Sequence, residues 1–84
     1  MSRSDKLIGK VESHRQGDFP FAELRRYLEL YGWVVVRIEG SHHRFAREGY
    51  DSLTVSVHGG KAKASAVKEA RQLIKDSQSR SEGV

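Results

Sequence analysis

The chain has 84 residues, enough for one small domain whose thin core leaves no room for a deep pocket around a large cofactor. It contains no cysteine, which excludes disulfides, thiolate metal sites and thiol nucleophiles and fits a reducing, cytoplasmic setting. Its 15 Lys and Arg against 11 Asp and Glu give a net charge of +4, a balance that favours anionic partners, RNA or DNA first.

The N-terminal MSRSDKLIGK is basic but lacks the apolar stretch of a signal peptide. No apolar run approaches the ~20 residues of a membrane span, so no membrane association is expected. The sequence reads as one domain over 1–84, with loose ends at about 1–4 and 77–84, where the composition is polar, small and non-periodic.

In chain order, SDKLIGKVESH forms a short helix, with Leu7, Ile8 and Val11 on one face and Ser4 or Asp5 as cap. RQGD breaks it. Pro20 suits a first helical position, and PFAELRRYLELYG reads as an amphipathic helix. Phe21, Leu24, Leu28 and Tyr31 share one face of it, with Tyr27 beside them. Gly32 ends that helix. WVVVRI is a strand rich in β-branched residues, and Glu39-Gly40 makes a tight turn. SHHRFAR is the second strand, EGYD a turn, and SLTVSV the third strand. HGGK interrupts, and KASAVKEARQLIKDS is a last helix. Ala66, Val67, Ala70, Leu73 and Ile74 line its inner face, with Lys68, Arg71 and Lys75 outside.

The fold class is therefore α+β: α-β-β-β-α plus a short N-terminal helix, with a three-stranded antiparallel sheet whose helices cover one face. This is the architecture of a double-stranded-RNA-binding-domain-like fold. Strand alternation sorts the faces. Val34, Val36 and Ile38 are expected under the helices, with Trp33, Val35 and Arg37 on the open face. In the second strand Phe45 takes His43 and Ser41 with it to the helix side, which leaves His42, Arg44 and Ala46 outside. His58 follows Thr54 and Ser56 to the open face. A bulge would shift this sorting by one residue.

An ordinary solvated sheet face that happens to carry histidines is the bland reading of this pattern. A metal site is the weaker one, because adjacent strand histidines point apart and no acidic cluster supports them. His14 reads as an exposed loop residue.

GSHHRF, a short turn, LTVSVHGGK and a following helix resemble the HicA family of toxin ribonucleases, as does the helix and first strand ending in YGWVVVRIEGSHHRF. The resemblance runs from about Phe19 to Ile74. Ser56 stands where the family often has proline, the last helix differs from the commoner family ending, and the N-terminal segment is absent from the shortest members. The resemblance implies a double-stranded-RNA-binding-like fold, mRNA cleavage independent of the ribosome, and silencing by a HicB-type antitoxin. It makes His42 of the Gly-Ser-His step the catalytic residue.

RNA supplies its own nucleophile, the 2′-hydroxyl. The protein must add a base, an acid and cations, and no metal or cofactor is needed. Imidazole serves as base or acid near neutral pH. On this reading His42 is the proton carrier and Arg44 the nearest phosphate clamp, since arginine grips phosphate through paired hydrogen bonds. His58 is a second candidate proton carrier, and equally a strand-end histidine capping the turn into Gly59-Gly60. Ser41 is a supporting residue, and Gly40 shapes the hairpin. Arg37 joins Arg44 on the outer face. Lys61 and Lys63 lie at the start of the last helix, whose free amides favour phosphate, and solvated lysines are the alternative there. A non-catalytic RNA-binding module is the competing function. A protein-only adaptor explains the basic helix end least well.

Overall fold

The structure, a computed structural model, describes residues 3–82. It is α+β, with a three-stranded antiparallel sheet under three helices. Helix α1 (Arg3–Ser13) buries Leu7 and Val11 and packs Ile8 against the core. Asp5 in its first turn and Lys10 in its last complement the helix dipole. Arg71, from the last helix, donates to the carbonyls of Val11 (3.2 Å) and His14 (2.7 Å). These are orphan acceptors at the end of α1, so one guanidinium both caps that helix and ties it to the opposite end of the chain.

Strand β1 (Phe19–Pro20) precedes helix α2 (Phe21–Leu30). Pro20 stands one place earlier than the sequence suggests. It is the N-cap, with φ −57° and ψ 121°, and it pairs with Lys61 of strand β5 (Lys61–Ala62). Phe21 N–H then donates to the Gly60 carbonyl at 2.9 Å, which replaces a side-chain cap. Leu24, Tyr27 and Leu28 are buried, and Phe21 and Tyr31 pack at the margin, as the spacing requires.

The end of α2 decides the phase of the sheet. Gly32 has φ +97°, its N–H donates to Glu29 at 3.1 Å, and Trp33 N–H reaches back to Leu28 at 3.0 Å. This is a Schellman motif, which needs a left-handed residue at Gly32 and brings the following side chain against the helix. That side chain is Trp33, which is fully buried. Its Nε1–H donates to the Asp51 carbonyl at 3.0 Å, and its ring meets Tyr50 edge-on at 5.6 Å under the Arg47 guanidinium.

Strands β2 (Val34–Glu39), β3 (His42–Ala46) and β4 (Leu53–Ser56) follow in order β2-β3-β4. With Trp33 inside, Val35 packs inward opposite Phe45, and Val34 turns out with Ala46. A bulge between Val35 and Arg37 then inverts the alternation, so that Arg37 lies opposite Arg44 and Ile38 opposite His43. The expected sorting of this strand is therefore corrected. Val34, Val36 and Ile38 are 49, 57 and 58% exposed, and Trp33 and Val35 join the core. Arg37 does face out, but only because of the bulge. Ile38 keeps the core-side register, where the helices no longer reach it.

In β3 the expected sorting holds: Phe45 is buried, His43 half-buried, and His42 and Arg44 exposed. Helix α3 (Ala64–Glu82) buries Val67, Ala70 and Ile74. It continues through the segment expected to be loose from 77 onward. Ser77 is buried there, its hydroxyl donating to the Ile74 carbonyl at 2.7 Å, so a polar residue is accommodated without breaking the turn. Of the loose ends expected at 1–4 and 77–84, residues 1–2 and 83–84 lie outside the described residues. Among the described residues no helix is long and apolar enough to cross a membrane.

Candidate functional site

The β2–β3 hairpin presents the first group of site residues. Glu39 pairs with His42, so Gly40 and Ser41 form a two-residue turn. Gly40 has φ +57° and Ser41 does not have a positive φ, which is the pattern of a type II′ turn and favours glycine in the first central place. The Ser41 carbonyl accepts Val57 N–H at 2.8 Å, fastening the hairpin tip to the end of β4. Ser41 therefore acts through its backbone.

His42 leads β3 on the open face, between Glu39 on one neighbour and Ser56 on the other. Its Nδ1 lies 3.2 Å from the Ser56 hydroxyl. That bond orients the ring and leaves Nε2 without a protein partner, the arrangement a proton carrier needs toward an incoming group. His43 is used differently. Its Nδ1–H donates to the Ser41 carbonyl at 3.3 Å, and its ring packs 4.7 Å from Phe21, on the helix side of the sheet.

Arg44 is exposed two residues along from His42, and its Nη2 donates to the Ser52 hydroxyl at 3.2 Å. Arg37 lies directly across the strand pair from it. Two cations facing each other repel, and the ion pair of Arg37 with Glu39 offsets part of that charge. The face thus offers an unpaired guanidinium, Arg44, close to the His42 imidazole.

His58 lies two residues beyond β4 and pairs with Lys61 across the Gly59-Gly60 turn, by reciprocal backbone bonds of 2.9 and 3.0 Å. Its backbone has the turn-capping role. Its side chain, with Ser56 and Lys63, lines an open cleft of about 240 Å³ between the end of β4 and the start of α3. Lys61 and Lys63 are both exposed, with buried Ala62 between them. The Lys63 carbonyl accepts the amides of Ala66 and Val67 at 3.0 and 3.2 Å, so Lys63 is the N-cap of α3. The fold therefore brings His42, Ser56, His58 and Lys63 around one corner, with Arg44 and Arg37 further along the open face and Lys61 on the turn.

His14 lies in a loop as expected, but it is half-buried rather than exposed. Its Nε2 lies 2.8 Å from the Gly17 carbonyl, and its ring meets Phe19 at 5.0 Å. Among the described residues no three His, Asp or Glu side chains form a group that could hold a metal. Ser56 and Ser52 are the residues that sequence reasoning missed as site members. The His42–Ser56 pairing follows from the short β3–β4 connection, and counting the register across it identifies Ser56.

The site is thus an exposed histidine on an open sheet face of a small α+β domain, with arginines beside it. A family model described as the HicA toxin of bacterial toxin–antitoxin systems matches residues 21–77, and the chain belongs to that family. It is thus a toxin of the toxin–antitoxin class, and membership implies a cognate antitoxin. No curated protein and no solved structure matched the chain.

Proposed function

We propose that this toxin is a metal-independent endoribonuclease that cleaves mRNA at His42. The observation that carries the reading is the exposed His42 imidazole, oriented at Nδ1 by Ser56, inside the stretch matched to the toxin family. In the reaction the 2′-hydroxyl attacks the adjacent phosphorus and its proton passes to a base. The bond from phosphorus to the 5′-oxygen breaks, and that oxygen takes a proton from an acid. The products are a 2′,3′-cyclic phosphate and a 5′-hydroxyl. His42 carries one of the two protons, Arg44 holds the charge that builds on the phosphate, and His58 is the candidate for the second proton. Lys61, Lys63 and Arg37 bind flanking phosphates or balance charge.

The test is incubation of the pure protein with mRNA in EDTA, beside a His42→Ala variant. Fragments ending in cyclic phosphate are expected from the wild type alone. Intact RNA that remains bound would favour the non-catalytic RNA-binding module. For a short single strand that spans only the His42 corner, three contacts (Arg44, Lys61 and Lys63) predict a log–log salt slope of roughly −2, at about −0.7 per phosphate. An affinity indifferent to salt would reject those contacts.

The antitoxin, on this proposal a HicB-type protein, works by covering His42. A site on an open sheet face cannot be closed by so small a domain itself, so control has to come from outside. Solvent protection of His42 in the complex is the measurement. Equal access of His42 in the free and bound toxin would exclude masking.

A further inference from the structure

A second concavity runs along α3, beside the end of α1. It has a volume of about 830 Å³, and Arg15, Lys68, Arg71 and Lys75 line it against a single carboxylate, Glu12. Among the described residues none of these four cations takes part in a side-chain ion pair. Arg71 is held in place by its bonds to the end of α1, so its charge is positioned rather than mobile. Tyr27 also lines the groove. It is 1% exposed, and its hydroxyl makes no hydrogen bond to protein. Burial raises its pKa first, with Tyr31 and Glu12 adding and Arg71 opposing, so the phenol stays a neutral donor. Among the described residues no fully buried side-chain polar atom lacks a partner, so this hydroxyl reaches the solvent of the groove, where an acceptor can meet it. Most of the lining comes from α3, while Glu12 of α1 and Arg15 just beyond it lie outside the stretch matched to the family.

The geometry points to a second phosphodiester site in this groove, which, resting on the ribonuclease reading above, holds the RNA backbone away from the bond being cut. A path connects the two places. His42 bonds to Ser56, Ser56 lines the cleft beside α3 with Ser65, and Ser65 also lines the groove. The strand passes from the open sheet face around the N-terminal turn of α3 and on to Lys68, Arg71 and Lys75. A dinucleotide has a single phosphodiester, which the His42 site takes up, so it leaves none for the groove.

The experiment pairs a Lys68→Gln, Lys75→Gln double variant with Tyr27→Phe, which keeps the packing and removes the hydroxyl. Binding is measured on a long 2′-O-methyl RNA, which lacks the nucleophile, and cleavage on a dinucleotide. Removing two phosphate contacts should flatten the salt slope for the long strand by roughly 1.4 and weaken binding about 25-fold at 0.1 M salt. Tyr27→Phe should weaken long-strand binding without altering that slope. Dinucleotide cleavage should match the wild type in both variants. Long-strand binding equal to wild type in the double variant would overturn the proposal, as would an equal loss of dinucleotide cleavage. Unchanged RNA binding together with weakened binding of polyglutamate would overturn it in favour of an acidic protein partner. A flattened slope in a protein whose wild type cuts no RNA would keep the groove and reject the ribonuclease reading alone.

Discussion

Replacing His42 with alanine is expected to slow RNA cleavage by at least ~10²-fold, the lower range for losing a positioned proton carrier. The urea midpoint should hardly move, since an exposed side chain with one solvated hydrogen bond is worth no more than about 0.5 kcal/mol. His43→Ala should do the opposite. It removes a ring packed on Phe21 and a bond to the Ser41 carbonyl. An aromatic contact of about 0.5–1.5 kcal/mol and a hydrogen bond of about 1 kcal/mol set the scale of that loss. Some cleavage should survive, because His43 points away from the face that carries Arg44. The two variants are adjacent in sequence, so the comparison depends only on which side of the sheet each ring takes. Full cleavage by His42→Ala, with a dead but stable His43→Ala, would reverse the roles.

The element order and the β3 faces were legible because each rests on local signals. Phe45 is the one large apolar residue of its strand, so it must go inside, and the two-residue period then places His42 and His43. The hairpin is declared by Gly40. Strand β2 was not legible in the same way. Its run of three valines and an isoleucine offers apolar residues to both faces, so hydrophobicity alone cannot choose the phase. The choice is made outside the strand, by the Gly32 turn that aims Trp33 at Leu28, and is inverted again by the bulge.

Strands β1 and β5 escaped because two residues carry no alternation to read. The end of α3 escaped because Ser77 hides its hydroxyl within its own helix. In the site, the residue types were readable and their partners were not. Ser56 and Ser52 become visible only once the strands are registered, and the groove joins residues some 50 positions apart, from Arg15 to Lys68.

The phase of β2 carries the second large expectation. Trp33→Ala should cost about 3–5 kcal/mol, the range for truncating a fully buried large aromatic. The loss leaves a cavity beside Leu28 and frees the Asp51 carbonyl that Nε1–H now satisfies. It also removes the surface on which Tyr50 and Arg47 rest. A domain of this size has a total stability of about 4–13 kcal/mol, so the variant should be largely destabilised and unfold at a much lower urea concentration. Val36→Ser, in the same strand, should stay within about 0.5 kcal/mol, because that side chain is 57% exposed. An apolar run read without the bulge ranks the two the other way, with Val36 inside and Trp33 free. Trp33 is the only tryptophan, so far-ultraviolet circular dichroism rather than fluorescence should follow both transitions. A cheap Trp33→Ala beside a costly Val36→Ser would mean that β2 runs unbulged. Arg37 would still share the open face with Arg44, so that outcome would overturn the phase of β2 and leave the basic surface around His42 in place.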